Sequence, residues 1–136
     1  MAAGTLTRVE VVPMTSIAGA YTTYDFFFRT ATTGTVKTIE IAFVLGSGID
    51  PRNATILIEK SNIGSGKLSG SINGTGVAKL TYTVTNPSTI AAGTTIRLEV
   101  PRISAQPGTW FANIATKDTA GNIIDGPTES ARFRIG

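Results

Sequence analysis

Histidine and cysteine are both absent from this chain of 136 residues, and the two absences remove much of the usual site chemistry. Without cysteine there is no disulfide framework, no thiolate metal site and no thiol nucleophile. Without histidine the chain lacks the commonest metal ligand and the side chain that most often acts as general base near neutral pH. Charge is scarce as well: acidic and basic residues together make up 15% of the sequence, with a net charge of +3. The cations are dispersed. Lys60, Lys67 and Lys79 lie far from Arg132 and Arg134, and no basic run marks a nucleic-acid partner. No apolar stretch approaches the roughly 20 residues of a spanning helix, so no membrane insertion is expected. Met1-Ala2-Ala3-Gly4-Thr5 shows neither a basic n-region nor an apolar h-region. The expectation is a cytoplasmic chain or a mature secreted fragment, with residues 1–4 a disordered or added N-terminus and 5–136 one domain.

What the chain does have is Thr, Ser, Gly and Asn arranged around alternating apolar residues. No window repeats apolar positions at helical spacing over several turns, so almost no helix is expected. Residues 5–13 set Val9 and Val11 against Arg8 and Glu10, and Pro13 ends the pairing. Residues 20–30 place Tyr24, Phe26 and Phe28 on one face and Tyr21, Thr23, Asp25, Phe27 and Arg29 on the other. Phe27 is a large aromatic on a face that its neighbours mark as wet. Ile39, Ile41, Phe43 and Leu45 alternate with Thr38, Glu40 and Ala42, and Ile56 and Ile58 mark a short strand in 54–60. The glycines of 61–76 predict irregular pairing, with a hairpin turn at Asn73-Gly74. Ala78, Leu80, Tyr82 and Val84 against Lys79, Thr81, Thr83 and Thr85 form the clearest alternation, and Ile96, Leu98 and Val100 repeat it. Trp110 shares a face with Ala112, Ile114 and Thr116, and is expected to plug the core. Asp118-Thr119-Ala120-Gly121-Asn122 turns the chain, and Phe133 and Ile135 close it against outward Arg132 and Arg134. About seven to nine short strands of this kind predict an all-β fold, an antiparallel sandwich of paired sheets.

Candidate chemistry is thin. Gly64-Ser65-Gly66-Lys67 lacks the earlier glycine and the following Ser or Thr of a phosphate loop, with Ser61 and Leu68 in those places, and reads as a turn. Glu10, Asp25, Glu40, Glu59 and Glu99 fall on outward strand positions, which solvated faces explain better than paired acid–base catalysis. No Ser-x-x-Lys pattern supplies a base for a serine nucleophile, so no enzyme is expected. Lys37, Lys79 and Lys117 face outward, which argues against a Lys–Asn isopeptide crosslink. Asp118, Asn122 and Asp125 offer oxygen ligands that suit calcium, although Asp and Asn also cap turns without metal. Asn53-Ala54-Thr55 and Asn73-Gly74-Thr75 fit the N-glycosylation acceptor at Asn53 and Asn73. Tyr21 and Phe27, with Asp25 or Thr23, form a candidate stacking platform for a glycan. Leu6, Val9 and Val11 belong to a terminal, β-branched segment that either donates a strand to a neighbouring subunit or opens its own sandwich.

Ala92-Gly93-Thr94 leading to Ile96 and Leu98, then Pro107-Gly108-Thr109-Trp110, then Thr116-Lys117-Asp118-Thr119-Ala120-Gly121-Asn122, resembles immunoglobulin-like modules of bacterial and archaeal secreted surface proteins. Lys37-Thr38-Ile39-Glu40-Ile41-Ala42-Phe43 and Ser61-Asn62-Ile63-Gly64-Ser65-Gly66 are similar to sandwich modules of archaeal cell-envelope proteins. The resemblance implies an immunoglobulin-like sandwich at the cell surface and carries over no binding residues. The expected function is a non-enzymatic structural or adhesive module of an extracellular or filament-forming protein, pairing with itself or with other surface subunits. A carbohydrate-binding module and a virion or tail decoration protein are the alternatives.

Overall fold

The computed structural model describes residues 4–15, 17–44, 47–54, 59–60, 63–74 and 77–136, and over them the chain is all-β, with no helix. The strands are β1 (Thr7–Pro13), β2 (Thr22–Arg29), β3 (Gly34–Thr35), β4 (Thr38–Phe43), β5 (Glu59–Lys60), β6 (Gly66–Ile72), β7 (Ala78–Val84), β8 (Thr89–Ile90), β9 (Thr95–Ile103), β10 (Gly108–Trp110), β11 (Ala112–Lys117), β12 (Ile123–Glu129) and β13 (Phe133–Ile135). They form a smaller sheet of four, ordered β1-β2-β9-β5, and a larger sheet of five, ordered β12-β11-β4-β7-β6. Short ribbons β3-β8 and β10-β13 complete the sandwich, and the strands pair antiparallel throughout.

Alternation does the sorting. β7 buries Ala78, Leu80, Tyr82 and Val84 and leaves Lys79, Thr81 and Thr83 half-exposed. β4 buries Ile39, Ile41 and Phe43, and β9 buries Ile96, Leu98 and Val100. Each residue of this kind contributes about 1.5–3 kcal/mol when fully removed from water. Packing of the two inner faces therefore holds the fold together. Tyr24 stacks near Phe26 at 6.3 Å and meets the edge of Phe133 at 5.9 Å, while Phe26 leans on Phe43 at 6.0 Å. Leu45, Ile56 and Ile58, expected to extend this pattern, lie outside the described residues.

Trp110 is not the core plug. The strand expected to run through it breaks at Phe111: β10 pairs with β13, whereas β11 pairs with β4 and β12. The chain changes sheets there, so Trp110 lies on the short β10-β13 ribbon and not on the larger sheet that β11 joins. Trp110 ends half-buried against the core, with its Nε1 donating to the Gln106 carbonyl at 2.9 Å. An indole N–H needs such a partner, which draws the ring toward the chain's surface.

The glycine-rich segment is also more regular than its composition suggests. β6 is a full strand in continuous register with β7. A β-carbon at Gly70 would collide with the Pro51 carbonyl, so this glycine marks a close backbone approach rather than a turn. The hairpin falls where Asn73-Gly74 places it, with the Asn73 N–H donating to the Val77 carbonyl at 3.0 Å and Asn73 Oδ1 accepting from the Val77 N–H at 3.1 Å.

β1 opens its own sandwich rather than a neighbour's. It pairs with β2, and Leu6, Val9 and Val11 are 2%, 7% and 5% exposed within this molecule's core. The apolar face that made the segment a donation candidate is covered within this chain. Gly4 lies inside the fold as well: its N–H donates to the Ile124 carbonyl at 3.2 Å and its carbonyl accepts from Gly126 at 2.8 Å. The N-terminal segment thus touches the larger sheet before β1 enters the smaller one, stitching the layers together.

Candidate functional site

The outer face of the larger sheet is made of short side chains around one charged cluster. Strand alternation turns Thr38, Glu40 and Ala42 of β4, Lys79, Thr81 and Thr83 of β7, and Asn113, Ala115 and Lys117 of β11 away from the core. Register places Glu40 opposite Thr81 on one side and Ala115 on the other. Those small neighbours let the diagonal lysines reach it. Lys79 Nζ lies 3.0 Å from Glu40 Oε1, and Lys117 Nζ lies 2.8 Å from Oε2. Partial burial alone would raise the Glu40 carboxyl; the hydrogen bonds from Lys117 and Lys79 outweigh it and hold the group below its ordinary value. Lys67, exposed on β6 beside Thr83, adds a further cation to the same face.

The outer face of the smaller sheet carries the opposite arrangement. Arg97 Nη2 donates to Asp25 Oδ1 and Oδ2 at 3.2 and 3.3 Å and to Glu99 Oε2 at 3.1 Å. Its guanidinium also lies over the Phe27 ring, 5.6 Å from the centroid. This corrects the glycan platform. Phe27 is capped by Arg97 and half-buried, so it offers no open stacking face, and Asp25 is buried in its ion pair. Tyr21 remains exposed, separate from Phe27, with its hydroxyl accepting from Asn53 Nδ2 at 3.1 Å.

The oxygen ligands proposed for calcium are divided among separate tasks. Asp118 Oδ1 accepts from the N–H groups of Ala120 and Asn122 at 2.9 and 3.0 Å, closing its own turn around Gly121 at φ 85°. Asp125 is wholly buried, and its Oδ2 accepts from Ala31 and Thr32 at 3.0 and 3.2 Å, tying the loop after β2 to β12. Asn122 is exposed, and its side chain has no part in either task. Asp118 and Asp125 therefore serve turn and loop instead of one shared ligand set. Both glycosylation candidates are exposed, Asn53 bonded to Tyr21 and Asn73 to its own hairpin, while Thr55 and Thr75 lie outside the described residues.

The Glu40 cluster escaped the linear reading because its members come from strands far apart in sequence. Its only local trace was a lone charge amid Thr and Ala in each of three strands, at Glu40, Lys79 and Lys117.

No protein-family model matches the sequence, and no curated protein matches it significantly. Solved structures do share its shape. A cohesin module from a Clostridium perfringens family 33 glycoside hydrolase is similar with a TM-score of 0.53 and 14% identity, over 96% of this chain and 98% of that one. In fold, the chain resembles a cohesin. A non-cellulosomal cohesin from the hyperthermophilic archaeon Archaeoglobus fulgidus is similar with a TM-score of 0.52 and 12% identity, over 96% of this chain and 92% of that one. At such identities the likeness is one of architecture, and it spans the domain from end to end.

Proposed function

We propose that the chain is a non-enzymatic adhesive or assembly module of an extracellular or cell-surface protein, docking a partner protein on the outer face of the larger sheet. The observation that carries this reading is the Lys79–Glu40–Lys117 cluster, set with Lys67 in a field of Thr, Ser and Ala. Short side chains lose little rotamer freedom when a partner covers them, so such a face is cheap to bury. Mutual ion pairing has already ordered the longer ones. The excess of lysine over glutamate selects an acidic partner surface and speeds its encounter. Architecture shared with cohesin modules supports an assembly role, and a sequence without histidine or cysteine supports a role without catalysis.

The test is charge reversal. Immobilised protein is used to capture partners from the surface and secreted fractions of the source organism, and a captured partner is purified and titrated. Lys79→Glu combined with Lys117→Glu is expected to weaken that titrated affinity at least tenfold, with Arg97→Gln on the opposite face leaving it unchanged. An affinity indifferent to the lysine reversal, or one governed by Arg97, would refute the assignment.

A further inference from the structure

A groove of about 460 Å³ lies at the end of the smaller sheet, lined by Tyr21, Arg52, Asn53 and Arg102. Its construction depends on an irregularity in β9. Thr22 pairs with Ile103 and Tyr24 with Val100, so Pro101 and Arg102 together stand opposite Thr23. This is a β-bulge, the device that re-aims a side chain out of the regular alternation. Ile96, Leu98 and Val100 are buried, and the same parity would turn residue 102 into the core. The inserted residue instead leaves Arg102 exposed, in the left-handed region at φ 66°, a conformation unfavourable for any side chain but glycine.

The cations of the groove are not equivalent. Arg52 is clamped by Asp50, with Nε 2.9 Å from Oδ1 and Nη2 3.0 Å from Oδ2, so its charge is neutralised where it stands. Among the described residues no acid pairs with Arg102. Beside it, Tyr21 is 55% exposed, and its hydroxyl accepts from Asn53 Nδ2 while keeping its own proton to donate. Asn53 retains its carbonyl oxygen and a second N–H.

We propose that this groove binds an acidic saccharide, a pyranose bearing a carboxylate. The Tyr21 ring takes the C–H face of the sugar, Asn53 and the Tyr21 hydroxyl take its ring hydroxyls, and the Arg102 guanidinium takes the carboxylate in a charge-assisted bond. The site is distinct from the proposed docking face, and neither depends on the other. Asn53 is also the glycosylation candidate, and a glycan on Nδ2 would displace its bond to Tyr21; the test therefore uses unglycosylated protein.

Calorimetric titration of the full chain with a galacturonate trisaccharide and with its neutral galactose counterpart tests the proposal. The acidic sugar is expected to bind at least tenfold more tightly. Arg102→Gly removes the guanidinium while relieving the backbone at φ 66°. It should melt at the same temperature or higher and lose the preference for the acidic sugar. Tyr21→Ala should weaken both sugars, and Lys67→Gln on the far sheet should weaken neither. Equal affinity for the two sugars, no binding at millimolar concentration, or acidic binding that survives Tyr21→Ala as unspecific charge attraction would each overturn it.

Discussion

The outer faces of the sandwich use the same device with opposite sign. On the larger sheet one carboxylate, Glu40, sits between two ammonium groups; on the smaller, one guanidinium, Arg97, sits between two carboxylates. Each cluster ties side chains across neighbouring strands, yet the first carries a surplus positive charge and the second a surplus negative. The partners of each hub also differ in cover. Arg97 is stacked on Phe27 and serves Asp25, which is only 8% exposed, whereas Glu40 bonds to Lys79 and Lys117, whose side chains are 42% and 29% exposed. The difference teaches that the Arg97 cluster is chiefly a stabilising feature and the Glu40 cluster chiefly a presented one.

Variants can sharpen that contrast, beginning with one that ignores it. Phe26→Ala empties the shared interior between the faces, where Phe26 is 0% exposed, and should cost about 3–5 kcal/mol in urea unfolding. Asp125→Ala strips the acceptor from Ala31 and Thr32 and should cost about 1–3 kcal/mol, with Asp125→Asn, which keeps an acceptor oxygen, milder. Arg97→Gln leaves the mostly buried Asp25 carboxylate without its counter-charge and should cost about 1–2 kcal/mol. Glu40→Gln should cost less, about 0.5–1 kcal/mol, since its partners are partly exposed and return to water. Equal losses for the last two variants would break the contrast.

The Glu40 pair also has a pH signature. Its folded pKa lies below the ordinary 4.5, so the stabilisation is complete above about pH 4.5 and is lost as pH falls through the folded value. Thermal melts from pH 6 to 3 should therefore fall less steeply for Glu40→Gln than for the unmodified chain.

The strands themselves were legible because one face of each is buried, and burial imposes a period of two that survives in the sequence. β7 is the plain case, its Ala78, Leu80, Tyr82 and Val84 all buried as their spacing requires. Legibility failed where the chain leaves regular pairing. The sheet change at Phe111 put Trp110 on a short ribbon and left it half-buried, and the Pro101-Arg102 bulge turned outward a residue whose parity points in. The close approach at Gly70 could not be read, because the carbonyl it accommodates belongs to Pro51, distant in sequence. Part of the candidate site could be read and part could not. Lys79 and Lys117 were placed outward correctly, but their meeting at Glu40 is a property of register, which no single strand contains. Phe27 looked open for the same reason: its cover, Arg97, arrives from another strand.

The docking face is tested most directly by placing a photo-crosslinking residue at Ser69 on β6 and, separately, at Thr23 on β2, and irradiating each protein with the purified captured partner. The account predicts a covalent adduct from position 69 and none from position 23. An adduct from position 23 alone would contradict it.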